Sequence, residues 1–196
     1  MDEFKLKIRN KLEASEIKIQ ESVIEDYLQI LIFRKIKKKQ FIGQPGFARK
    51  HETYVVKGTF RAFFIDNEGN EQTTQFAIDD WYINDLRSYL TGEPATLYIE
   101  ALEDSIIADI PQQEFEALCD KHPVLQKLYR LAAQRGFAYA QKRMIANLQK
   151  SAEERYLDFC RDYPEIEQRV PQHALASYLN MSQEYLSKIR SKLASS

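Results

Sequence analysis

The sequence predicts an α+β protein: an N-terminal β jelly roll, a long connecting helix, and a C-terminal helix-turn-helix with a reduced or absent wing. Three observations carry that prediction. Residues 52–78, "ETYVVKGTFRAFFIDNEGNEQTTQFAI", are dense in β-branched and aromatic side chains around the turn signal "DNEGNE". Residues 124–150 run without Pro and with a single Gly, enough for a helix about 40 Å long. Near the end, "ALASYLNMSQEYLSKIRSKL" sets two short helical patterns on either side of "NM". The implied units are 1–121, 122–150 and 151–196.

The elements follow in order. The first thirty-odd residues read as helical, with Val23, Ile24, Tyr27, Leu28 and Leu31 on one face. A basic stretch, "RKIKKKQF", then becomes extended. Two strands joined around Asn67 to Asn70 follow, with Gly58 marking an earlier turn, and "TLYIEAL" and "SIIADI" supply further strands. Short strands with regularly spaced turns suit an antiparallel barrel or jelly roll. The helical period returns at "PQQEFEALCDKHP", with Pro123 stopping or redirecting it. After the long helix, three further helical segments are expected. "SAEERYLDFCRDYP" opens the first with a capping-box pattern at Ser151 and Glu154. "PQHALASYL" and "SQEYLSKIRSKL" supply the other two.

Composition narrows the function classes. At 196 residues, 44% hydrophobic and 29% charged, the chain can bury a core and is not disordered. No apolar run could span a bilayer, the start lacks a signal-peptide core, and two distant cysteines make no disulfide framework, so a cytoplasmic protein without a membrane role is expected. Between 65 and 120, Arg87 is the sole basic residue. Between 121 and 150 there are seven Lys or Arg and no Asp or Glu, which places the second half nearer a polyanion. An enzyme is not expected. A cupin-type metal site would need clustered His and carboxylates, and the strand-like segments show no His.

The terminal motif meets the demands of a helix-turn-helix. Ala176 is small where two helices must approach, and Asn180 suits a left-handed turn position. Ser182 is a preferred N-cap, Glu184 suits the positive helix end, and Leu175, Leu179, Leu186 and Ile189 form a shared core. If the second helix enters a major groove, Gln183 can pair with adenine, Glu184 can accept from cytosine, and Lys188 can donate to guanine or phosphate. Ser187 and Arg190, with Ser182 at the cap, would touch the sugar-phosphate backbone.

Taken in this order, the chain resembles the Crp/Fnr family of bacterial transcription regulators over nearly its whole length. The family's "Y-x-V-x-K-G" before a hairpin is approached by "YVVKG", one residue shorter, and the turn that begins the family's reading helix is similar to Ser182, Gln183 and Glu184, with Lys188 where the family usually has Arg. The resemblance implies a cyclic-nucleotide-binding-like sensor domain, binding of double-stranded DNA as a homodimer, and RNA polymerase as a further partner.

The sensor half departs from that pattern. Family members that bind cyclic nucleotides carry Gly-Glu for the ribose, then Arg with a hydroxyl neighbour for the phosphate. Asn84 and Asp85, or Ile83 and Asn84, stand where Gly-Glu is expected, and Pro94, Ala95 and Thr96 where the Arg is expected. Without that Arg a buried phosphate loses its main charged partner, so cyclic AMP in the usual mode, and any cofactor, is not expected. Arg87 falls in the helix-like "NDLRSYL", off the phosphate position. A small-molecule effector of unknown identity would be lined by Trp81, Tyr82, Asn84, Asp85, Arg87, Ala95 and Thr96, with Tyr89 adding a further aromatic wall. The competing expectation is a small-molecule-sensing or protein-interaction module without specific DNA binding.

Overall fold

The computed structural model describes residues 2–194. Helices α1 (Asp2–Glu13) and α2 (Glu21–Gln29) lead into eight strands: β1 (Ile32–Ile36), β2 (Phe41–Gly43), β3 (His51–Lys57), β4 (Phe60–Ile65), β5 (Glu71–Ala77), β6 (Tyr82–Ile83), β7 (Tyr98–Ala101) and β8 (Ser105–Pro111), with α3 (Leu86–Thr91) between β6 and β7. They form two antiparallel sheets, β1-β8-β3-β6 and β2-β7-β4-β5. Val55, Phe60, Ile83, Ile99 and Ile107 are fully buried in the core between them. Strand β3 buries both faces. Its inward residues join that core, while Tyr54 and Val56 pack outward under α1, α2 and the helices that follow β8. A strand covered on both sides shows no polar alternation, which is why "TYVV" reads as a continuous apolar run.

The turns have local causes. The Asp66 carboxylate accepts from the N–H groups of Glu68 and Asn70, and Gly69 takes a positive φ of 86°. Gly58 has φ 123°, and a Cβ there would stand 2.0 Å from Ser105 Oγ. Only glycine satisfies both conditions.

Helices α4 (Gln112–Lys121), α5 (Pro123–Gln149), α6 (Ala152–Asp162), α7 (Pro164–Arg169), α8 (Gln172–Tyr178) and α9 (Gln183–Ala194) complete the chain. Pro123 and Pro164 each stand in the first turn of a helix, where a missing N–H costs nothing. Four helices therefore follow α5, not three: "PEIEQR", left as a connection in the sequence reading, is α7. No strand follows Pro111 among the described residues, so no wing flanks α8 and α9 there. His51 opens β3 half-buried, with Nε2 3.5 Å from Asp109. That corrects the reading of strands without His. Among the described residues no helix is long and apolar enough to cross a membrane.

Several cations of the basic segment are paired within the chain. Lys121 pairs with Asp26, Arg135 with Glu16, Lys142 with Asp162 and Lys150 with Asp158, while Arg143 donates to the Thr74 carbonyl. The acidic partners of these cations lie outside residues 121–150, in the N-terminal helical region and in α6, so a count over that window could not see them.

The terminal helices pack back onto the roll. Phe76, Ile78 and Leu102 share one core with Tyr156, Phe159, Leu175, Leu179, Leu186 and Ile189. The Phe76 and Tyr178 rings lie 5.0 Å apart, and the Ser177 hydroxyl accepts from Thr73 N–H and donates to the Glu71 carbonyl. Arg169 donates to Asp79 at 3.0 Å and to Glu103 at 2.6 Å.

Because Gly58 combines a left-handed backbone with a filled neighbourhood, Gly58→Ala is expected to destabilise the roll by about 2–4 kcal/mol. Urea denaturation followed by Trp81 fluorescence measures this; a loss below about 0.5 kcal/mol would contradict the close approach of Ser105.

Candidate nucleic-acid interface and sensor pocket

Helices α8 and α9 are joined by a turn with a full set of backbone bonds. Asn180 sits at φ 54°, Met181 N–H donates to the Ala176 carbonyl, and Asn180 N–H donates to that of Ser177. This paired 6→1 and 5→2 closure is a Schellman motif, which satisfies carbonyls that α8 would leave open. The remaining carbonyls meet Arg155 of α6. Its Nε donates to Leu179 at 2.9 Å, its Nη2 to Asn180 at 3.2 Å, and its Nη1 back to Lys150. Arg155 was not singled out from the sequence, because nothing local marks a cation that clamps a turn 24 residues away. Helix α6 is itself fixed by the capping box between Ser151 and Glu154, a device that contributes about 1 kcal/mol.

Leu186 and Ile189 anchor α9 in the shared core, which leaves the opposite face outward. Gln183, Glu184, Ser187 and Lys188 are all exposed on that face, and Tyr185, not singled out from the sequence, is half exposed beside them. Lys188 has no ion-pair partner among the described residues. Ser182 Oγ accepts from Tyr185 N–H, so this side chain is occupied as a cap. The Glu184 carboxyl is held low by its own backbone N–H and by Ser182, and is ionised at neutral pH. Arg190 is turned toward Glu167, 3.4 Å away, and would have to leave that pair to reach a phosphate.

The sensor residues do not converge on one cavity. Trp81 packs between the edge of the roll core and the helices, against Tyr139 of α5 and Tyr163, and not into a pocket with the others. Tyr82 stacks edge-on with Tyr54 on the outer face of the sheet, and Arg87 pairs with Glu93 in solvent. Tyr89 is buried. Four residues do come together: Asn84, Asp85, Ala95 and Thr96.

Asp85 dominates that group. It is 2% exposed and caps α3, accepting from Ser88 N–H on one oxygen. Its other oxygen accepts from Thr96 N–H at 2.7 Å, Leu97 N–H at 3.0 Å and the Thr96 hydroxyl at 3.2 Å. Burial pushes this carboxyl up, but the four donors outweigh it and hold it below the ordinary range. The donors that would face an anion at this position are thus taken by a carboxylate of the chain itself.

The buried guanidinium of Arg49 offers no replacement for the missing phosphate partner. Its donors go to the Ile42 carbonyl, to Asn84 Oδ1 at 3.0 Å and to Thr53 Oγ1 at 2.8 Å. Thr53 in turn donates to Asp109, which also pairs with Arg34. These residues do not fit a cyclic phosphate.

Residues 33–122 match the family model of the cyclic nucleotide-binding domain. Over 145 residues the chain is 28% identical to the Fumarate and nitrate reduction regulatory protein of Vibrio cholerae. The match covers 72% of this chain and 56% of that protein, so the chain spans a little over half the length of the relative it matches. Among solved structures, FixK2 from Bradyrhizobium japonicum is similar with a TM-score of 0.71 at 18% identity, covering 85% of each chain. The c-di-GMP responsive global regulator CLP of Xanthomonas campestris gives 0.72 at 14% identity, covering 90% of this chain and 92% of the other. A crp/fnr family regulator from Eubacterium rectale gives 0.67 at 17% identity, covering 87% and 82%. At these identities the likeness is one of fold.

Asp85→Asn would turn an amide nitrogen toward backbone N–H donors, and is expected to cost about 1–3 kcal/mol at pH 7. The native titration of Asp85 is depressed, so its contribution is complete above the unfolded-state value of about 4 and is lost as pH falls through the lower native value. The stability gap between wild type and variant should stay constant from about pH 7 to pH 5 and narrow below about pH 4. Chemical denaturation across that range checks both statements; a gap independent of pH would place the charge elsewhere.

Proposed function

We propose that this chain, whose residues 33–122 form a cyclic nucleotide-binding domain set in the fold of the Crp/Fnr regulators, is a DNA-binding transcriptional regulator acting as a homodimer. One observation carries the reading. The helix-turn-helix holds α9 by its apolar face and turns Gln183, Glu184, Ser187 and Lys188 outward together. Those four side chains offer both donors and acceptors at the N-terminal half of a helix, where base edges are met in a major groove. Ser182 positions the helix as its cap, and Arg190 is a backbone contact only after release from Glu167.

Dimerisation is supported by α5. Its second half leaves Phe137 and Leu148 exposed at 71% and 81%, with Met144 and Ile145 also in solvent. Apolar side chains spaced along one helix gain burial by pairing with a copy. A two-fold dimer then presents two reading helices to half-sites about 34 Å apart. Few phosphate contacts are available per protomer, since residues 151–196 hold seven Asp or Glu against six Lys or Arg. Sequence reading must therefore carry much of the affinity. The reading extends to RNA polymerase as a contact and to a cytoplasmic setting. Cyclic AMP is not the effector in the usual mode, because Asp85 takes the donors a phosphate would need.

Selection of duplexes from a random pool, followed by anisotropy titration, tests DNA reading. Gln183→Ala combined with Lys188→Ala should weaken the selected site by about 1–3 kcal/mol per lost base contact and relax its sequence preference. An unchanged preference would remove α9 as the reader, and absence of any selected duplex would favour a sensing or protein-interaction module. Phe137→Glu with Met144→Glu should give a monomer by sedimentation and lose cooperative half-site binding. A dimer that persists would place the interface off α5.

A further inference from the structure

A second enclosure lies outside the roll. It is a cavity of about 390 Å³ between α1 and residues 14–17, the outer face of the β3-β6-β8 sheet, and the first half of α5. That volume falls within the range of small-molecule sites. It shares Tyr82 with the sensor residues predicted from sequence, but none of the Asp85 cradle.

Its walls are aromatic and its floor is a carboxylate. Tyr27, Tyr54, Tyr82 and Tyr129 line it, and Glu52 of β3 reaches into it. Glu52 is 7% exposed and receives the Tyr129 hydroxyl as a donor, with the Asn84 side chain also beside it. Among the described residues no Lys, Arg or His pairs with it. The Arg49 charge acts on it from outside hydrogen-bond contact, since Arg49 commits its donors to Ile42, Asn84 and Thr53. A buried carboxylate without a cation is costly, and here burial pushes the Glu52 carboxyl up. The cations that do line the cavity are already neutralised at its edge: Lys11 by Asp80 at 3.5 Å and Arg135 by Glu16 at 3.3 Å.

We propose that this cavity is a binding site for a small organic cation, an amine or quaternary ammonium carrying an apolar or aromatic group. The ammonium would sit against Glu52 with tyrosine rings around it, and the apolar group would lie along Leu128 and Ala132 of α5. Aromatic faces and a desolvated carboxylate both attract a cation, and neither attracts an anion. Because the enclosure is shared by α1, the sheet and α5, a bound amine would join the N-terminal helices to the helix that leads to α6–α9. This inference stands apart from the DNA-binding reading.

Calorimetric titration of the full chain with 2-phenylethylamine and with the same-sized neutral 2-phenylethanol tests it. The amine should bind at least about tenfold more tightly than the alcohol. Glu52→Gln should abolish that preference, and Ala132→Trp, which fills the space from α5, should abolish binding of both. Equal binding of amine and alcohol, binding of neither, or a preference that survives Glu52→Gln would overturn the assignment. If Glu52→Gln does not fold, the amine-to-alcohol ratio in the wild type and its loss in Ala132→Trp decide the question.

Discussion

A single carboxylate, Asp85, sets the interior of the β roll. Four donors from Ser88, Thr96 and Leu97 close on it, so α3 and the loop before β7 are held together by a group of the chain itself. Around it, Arg49 ties Asn84, Thr53 and the Ile42 carbonyl into the same buried network. Buried polar groups are tolerated only when satisfied, and a satisfied network resists rearrangement. This part of the roll's interior is thereby a closed polar network.

What the roll supports is the terminal helical unit. Phe76, Ile78 and Leu102 of the roll extend the core of the helix-turn-helix, and Arg169 and Ser177 add polar ties to Asp79, Glu103 and the β5 backbone. Helix α9 is consequently gripped from one side only. Its opposite face stays in solvent, and the apolar second half of α5 stays in solvent as well. These two exposed surfaces lie on different helices.

Much of the fold was legible because its signals are local. The "DNEGNE" turn, Gly58, the Ser151–Glu154 capping box and Asn180 each answer a backbone requirement within a few residues. The network around Asp85 was legible only in part: the absence of Arg near Thr96 was visible, but not that Asp85 gathers the Thr96 and Leu97 donors, since these lie eleven and twelve residues away. Arg155, Arg169 and the pairing of the α5 cations depend on contacts between distant elements and leave no periodic trace. Helix α7 was missed because six residues between prolines are too short for a helical period. Trp81 and Tyr82 are adjacent in sequence and lie on opposite faces of an extended segment, so they could not line one pocket.

The proposed regulator would join a reading helix to a roll that does not take cyclic nucleotides. This reading is tested most directly by the affinity of the full chain for its selected duplex, measured by fluorescence anisotropy with and without millimolar cyclic AMP. The account predicts a sequence-preferring interaction whose Kd is the same in both conditions. A Kd that tightens by about tenfold or more with cyclic AMP, a coupling of about 1.4 kcal/mol, would contradict it.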